Sequence, residues 1–123
     1  MYISLLSLFC RILFLTLLVT YGRGDLTLST EDFSKEIVKD DRVWIVEFYS
    51  AMCGSCKEFT PTWEKLEFSL KSKVVLGKVN IDDQNSMKLA QSLGVLDEGI
   101  PCIRLYTSKS DDKGFTLMSG MIN

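Results

Sequence analysis

The chain has 123 residues, 46% of them hydrophobic and 24% charged, with a net charge of −2, which is the size and balance of one domain. No basic excess points to nucleic acid. A structural zinc site needs about four Cys or His ligands, and this chain has no His and four Cys, one of which, Cys10, lies in a leader. That leader is residues 1–24: Met1 to Tyr21 is almost entirely apolar, interrupted by Arg11 and followed by the small residues Gly22 and Gly24. This is the pattern of a secretory signal peptide. An uncleaved membrane anchor of about 20 apolar residues is the alternative, but Arg11 shortens the uninterrupted run. Cleavage is expected after Gly22 or Gly24, leaving a more acidic domain, 25–123, in a compartment where disulfides form and persist. The last residues, Met118 to Asn123, carry no Lys-Asp-Glu-Leu type retrieval signal.

Leu26-Thr27-Leu28 offers a short first strand. Ser29-Thr30-Glu31-Asp32 supplies a helix cap and early acidic charge, and Phe33, Ile37 and Val38 recur at helical spacing, so a first helix is expected to about Lys39. Residues 43–49 are apolar on both faces apart from Glu47, as in a central strand covered by helices. A helix should then run from Cys53 through Phe59, Trp63, Leu66 and Leu70, with a kink at Pro61, because proline cannot donate to the ladder and clashes with the preceding turn. Residues 74–81 read as a strand, 86–93 as a short helix stopped by Gly94, and 102–107 and 115–118 as two strands around a polar turn.

Glu47 to Lys57 carries the chemistry. It leads from a strand through Cys53-Gly54-Ser55-Cys56 into a helix, placing the first sulfur where free backbone amides and the helix dipole favour an anion. The thiolate is the reactive form, so Cys53 is the expected nucleophile. Cys56, one turn on, can attack a mixed disulfide at Cys53 and is the expected resolving thiol. Half a zinc site and a purely structural disulfide are the competing readings of such a pair.

Taken with Val46-Glu47-Phe48-Tyr49, Pro61-Thr62-Trp63-Glu64-Lys65-Leu66, Lys78-Val79-Asn80-Ile81-Asp82 and Gly99-Ile100-Pro101, the motif resembles the thioredoxin family, more closely a domain of the protein disulfide isomerases. The resemblance runs from about Leu26 to about Gly120. It implies an α/β thioredoxin-like fold, a central mixed sheet with flanking helices, and redox chemistry without cofactor or metal. It also implies that Glu47 accepts the proton of Cys56 through water, tuned by Lys78. Met52, Gly54, Ser55, Ile100 and Pro101 become substrate-binding residues. Pro101 is then cis, with Ile100 offering its backbone to an incoming peptide; the alternative is a trans proline at a strand start.

The sequence also departs from that family. Met52 replaces the usual tryptophan, Ser55 stands where isomerases have histidine, and Met121 takes the place of an arginine that helps the second thiol ionise. The approach to Pro101 is about two residues longer, and its Asp97-Glu98 pair is expected either beside the substrate groove or as a solvated loop. Cys102 reads as a small buried strand residue, or else as a resolving or regulatory thiol. The family's final helix is absent. Such a helix would contribute about 6–12 kcal/mol of apolar burial against a typical net stability of about 5–15. Either the sequence is an incomplete gene product, or a partner, a second copy or the leader covers the sheet face. The expectation is a thiol–disulfide oxidoreductase acting on client proteins, most readily in the endoplasmic reticulum lumen, or otherwise secreted or membrane-anchored. The rival is a client-binding chaperone module with weak redox chemistry.

Overall fold

The computed structural model describes residues 26–120; the leader and Met121, with the expectations attached to them, lie outside the described residues. Strands β1 (Leu26–Thr27), β2 (Trp44–Tyr49), β3 (Val75–Asn80), β4 (Cys102–Tyr106) and β5 (Phe115–Met118) form one sheet in the order β1-β3-β2-β4-β5. β1 and β2 run parallel to β3, while β4 is antiparallel to β2 and to β5. The sheet is therefore mixed, with the strand that precedes the Cys-x-x-Cys turn at its centre.

Helix α1 begins at Thr30–Asp32 behind a capping box in which Ser29 and Asp32 satisfy each other's backbone N–H groups. It continues as a π-helical stretch, Phe33–Ile37, and stops short of the expected Lys39. Phe33 and Ile37, four residues apart and so on one helical face, enter the core together. Helix α2 (Gly54–Leu70) buries Cys56, Phe59 and Trp63 at spacings of three and four. It runs on past Pro61. Pro61 and Lys57, whose carbonyl loses its helical donor there, are both exposed, so water can take the carbonyl. Helix α3 (Gln84–Ser92) is capped by the Asp83 carboxylate and stopped by Gly94 at φ +75°, a conformation that glycine adopts without a Cβ clash.

Alternation along β2 divides the core. Trp44, Val46 and Phe48 pack with Phe33, Ile37, Val79 and Ala90 on the α1 and α3 side, whereas Ile45 packs with Phe59, Trp63, Leu76 and Ile103 under α2. Among the described residues no helix follows β5, and on that strand Phe115 and Leu117 remain 53% and 54% exposed. No helix among the described residues is long and apolar enough to cross a membrane.

One sequence expectation needs correcting. Asp97-Glu98 is not a loop: Val95–Glu98 forms a short helix, α4, on which Asp97 is exposed and Glu98 is engaged, and it ends at Gly99 just before Ile100-Pro101. The reason is tertiary. The Glu98 carboxylate accepts the Thr116 hydroxyl at 2.8 Å and faces Arg104 at 3.4 Å, which draws the segment back onto β4 and β5.

Candidate active site

β2 delivers the chain at Tyr49, and Cys53 caps α2 in an extended conformation. Its Sγ accepts the Cys56 N–H at 3.1 Å, so one of the otherwise unpaired amides at the helix start points directly at sulfur. The two cysteines are joined as a disulfide with Cα atoms 5.2 Å apart. Their surroundings differ. Cys53 is half-buried and Cys56 is 4% exposed, an asymmetry that leaves the first sulfur more accessible than the second.

Ile100 closes the other side. The Ile100–Pro101 bond is cis, and the Ile100 carbonyl oxygen lies 3.9 Å from Cys53 Sγ. Ser55 sits between them, its hydroxyl 3.3 Å from Cys53 Sγ and 3.4 Å from Ile100 O. Met52 stands at the rim and is 85% exposed. Gly54 is also exposed, and a Cβ there would meet nothing within 4 Å, so its backbone is not crowded by the fold.

Glu47 and Lys78 face each other across β2 and β3, with Lys78 Nζ 3.4 Å from Glu47 Oε2 and 4.5 Å from the centre of the Tyr49 ring. Glu47 is 2% exposed. Strand alternation puts it with Ile45 on the α2 face, where Cys56 is buried. A desolvated carboxylate on that face, paired with an ammonium, is an arrangement able to take and return a proton.

Two contributors lie outside the sequence expectations, and for a third, expected as part of the Asp97-Glu98 pair, only its partners do. Asp82, after β3, accepts from the Ser50 hydroxyl and from Ala51 N–H, and Ser50 Oγ in turn accepts from Met52 N–H at 3.1 Å, so the turn before Cys53 is tied to the next loop. The Ser50 hydroxyl and then the Ala51 amide hold the Asp82 carboxyl below the ordinary range. Gly120 donates its N–H to Gly99 O at 3.3 Å, and a Cβ on Gly120 would fall 2.2 Å from Ile100 O. Glu98, described above, is the third. The hint available in sequence was only the placement of acids and glycines next to the two motif loops, which does not name their partners. Cys102 is fully buried on β4; burial pushes its thiol up to about 11, and its Sγ lies 3.5 Å from Glu98 Oε2. It is the buried strand residue of the first expectation.

A five-stranded mixed sheet with helices on both faces, a disulfide-bonded Cys-x-x-Cys at a helix start and a cis-proline loop opposite it define a thioredoxin-fold protein. The thioredoxin family model matches residues 25–118, and the chain belongs to that family. Its similarity to isomerase domains is direct: it is 37% identical over 68% of its length to the protein disulfide-isomerase A6 homolog of Drosophila melanogaster and 36% identical over 76% to protein disulfide-isomerase A6 of Mus musculus. The chain spans 18% and 21% of those relatives, about a fifth of their length. Among solved structures, it resembles the J-Trx1 fragment of ERdj5 with TM-score 0.66 and 23% identity over 77% of this chain and 44% of that one. It also resembles thioredoxin f2 of Chlamydomonas reinhardtii with TM-score 0.62 and 26% identity over 78% of this chain and 83% of that one. A thioredoxin domain with a disulfide-bonded Cys-x-x-Cys pair is suited to thiol–disulfide chemistry.

Proposed function

We propose that the protein is a thiol–disulfide oxidoreductase of the disulfide isomerase type, acting on protein disulfides in the secretory pathway, with the endoplasmic reticulum lumen as its site of action. The observation that carries this reading is Cys53 at the start of α2, half-buried, accepting a backbone N–H and joined to a buried Cys56. In the reduced protein, Cys53 thiolate attacks one sulfur of a client disulfide, forming a mixed disulfide and releasing the other client sulfur as a thiolate. Cys56 then gives up its proton to the Glu47 side and attacks Cys53 Sγ. The client sulfur bonded to Cys53 leaves as a thiolate, and the Cys53–Cys56 disulfide forms. The client gains two electrons and the pair loses two, so the same steps reversed oxidise a client. Lys78 tunes Glu47, and Met52, Gly54, Ser55, Ile100 and Pro101 line the path of the client chain. Steady-state reduction of a peptide disulfide by glutathione is the test. Activity should appear with the unaltered protein and vanish in Cys53→Ala; activity retained by that variant overturns the reading.

The second reading, a client-holding module, draws on Met52, an apolar side chain 85% exposed beside Cys53. Suppression of client aggregation by Cys53→Ala, with no redox turnover in the unaltered protein, would favour it. Self-association is a further proposal, through the sheet face that Phe115 and Leu117 of β5 leave exposed and apolar, which suits a second copy. Sedimentation should then show concentration-dependent mass that Leu117→Lys reduces. A strict monomer would exclude it.

A further inference from the structure

Ser55 has one hydroxyl proton and two acceptors within reach. Cys53 Sγ is 3.3 Å away and Ile100 O is 3.4 Å away. Which acceptor takes the proton is set by their relative strengths. A disulfide sulfur is a weak acceptor and a peptide carbonyl a good one, so in the oxidised protein the hydroxyl donates to Ile100 O. A thiolate carries a full charge, and hydrogen bonds to ionised acceptors are roughly twice as strong as neutral ones. Reduction therefore reverses the preference.

We propose that the Ser55 hydroxyl is a redox-dependent toggle, closed on the Ile100 carbonyl when the Cys53–Cys56 disulfide is present and turned to the Cys53 thiolate when the pair is reduced. When a dithiol reduces the disulfide, two electrons enter the pair and the dithiol becomes its own disulfide. Of the two protons released by the dithiol, one stays on Cys56 and one goes to solvent, leaving Cys53 ionised. Two donors then converge on Cys53 Sγ: the Cys56 N–H, already 3.1 Å away in the oxidised form, and the Ser55 O–H. The same movement releases Ile100 O. This deepens the oxidoreductase reading and rests on it for one consequence: the carbonyl beside the reactive sulfur becomes available to a client peptide in the state that attacks disulfides. Ser55 thus supplies a donor that a chain without histidine in this turn would otherwise lack.

Ser55 is exposed, so its substitution leaves the core untouched. The charged groups on the surrounding elements, Lys57 on α2, Glu47 on β2, Lys78 on β3 and Glu98 on α4, are the same in every variant. A difference between variants therefore reports the hydroxyl. The experiment is the pH dependence of iodoacetamide alkylation of Cys53 in the fully reduced protein, with the site read by peptide mass spectrometry, for the unaltered chain, Ser55→Ala and Ser55→Thr. Loss of a hydrogen bond to an ionised group should move the Ser55→Ala midpoint up by about one pH unit or more, while Ser55→Thr keeps the original midpoint. The equilibrium with glutathione should shift in step. Ser55→Ala loses more in the reduced state than in the oxidised one, so its disulfide becomes less oxidising, by up to about tenfold in the equilibrium constant. A Ser55→Ala profile that superimposes on that of the unaltered chain overturns the toggle, as does a Ser55→Thr profile displaced as far as that of Ser55→Ala. Alkylation needs no client. A hydroxyl-dependent midpoint together with no turnover on a peptide disulfide would uphold the toggle and overturn the oxidoreductase reading.

Discussion

Arg104 is a charged side chain with 2% of its surface exposed, and it survives burial because its partners come from three directions. Its guanidinium donates to Leu93 O at the end of α3 at 2.7 Å and to Lys113 O before β5 at 2.8 Å, and it faces Glu98 at 3.4 Å. Lysine carries the charge but not the fork that serves three acceptors at once. Burial alone would raise the Glu98 carboxyl, but the Thr116 hydroxyl and the Arg104 charge outweigh it and hold the carboxyl below its usual range. Arg104→Ala should cost about 1–3 kcal/mol, the effect of leaving the buried Leu93 carbonyl without its charged donor. Urea unfolding of the oxidised protein would measure it. A loss under 1 kcal/mol would show that the cluster is not what fixes α4 ahead of Ile100-Pro101.

Two elements bear on the site from outside it. Gly120, after β5, lies so close to the Ile100 backbone that a Cβ would sit 2.2 Å from its oxygen and 2.7 Å from its carbonyl carbon. Backbone rather than a yielding side chain is in the way, so Gly120→Ala must part the Gly120 and Ile100 backbones, and we expect the Ile100 carbonyl to be displaced from its place beside Cys53. Displacements of about 1 Å can cost on the order of 10²-fold in turnover, and a loss between about 10- and 100-fold is expected in peptide disulfide reduction. The alkylation midpoint of Cys53, set by α2, should move much less. Helix α2 is held to the sheet chiefly through Trp63, which is 1% exposed and packs with Ile45, Leu76 and Ile103. Trp63→Ala should destabilise by about 3–5 kcal/mol. Urea titration again decides, and a smaller loss would mean that neighbouring side chains collapse into the space.

For the whole molecule, alkaline pH is the informative variable, because two groups of the α1 and α3 layer resist ionisation. Burial pushes the Cys102 thiol from about 9 to about 11, and burial also raises the Tyr106 hydroxyl. A folded-state value above the unfolded one means that stability is whole below pH 9 and declines as the pH passes through 9 toward 11. For Cys102 the full effect is on the order of 2–3 kcal/mol. Melting temperature measured from pH 8 to pH 11 should therefore fall less steeply in Cys102→Ala than in the unaltered chain, with the residual slope carried in part by Tyr106. Parallel curves for the two proteins would contradict the burial-driven shift. The same buried thiol should resist alkylation in the native protein at pH 8 and react once urea exposes it.

What the sequence by itself determined follows from local rules. Periodicity marked β2 within a residue, α2 to its end at Leu70 and β5 to both of its bounds, because strand alternation, helical spacing and flanking turn residues act over a few positions. The position of Cys53 at a helix start was legible for the same reason: a strand, a two-cysteine turn and a helix start are contiguous, and the turn signals act within a few residues. Pairings between distant segments were decided only by tertiary structure. Nothing local in Glu98 foretells Arg104 and Thr116, nothing in Gly120 foretells the Ile100 carbonyl, and nothing in Ser55 foretells that its hydroxyl would reach two acceptors at once. Those contacts exist because the crossovers of the sheet bring α4, β5 and the start of α2 to one end, where carboxylates, hydroxyls and carbonyls must find partners within hydrogen-bond reach. Sequence records which groups are present; only the folded chain fixes the distances between them.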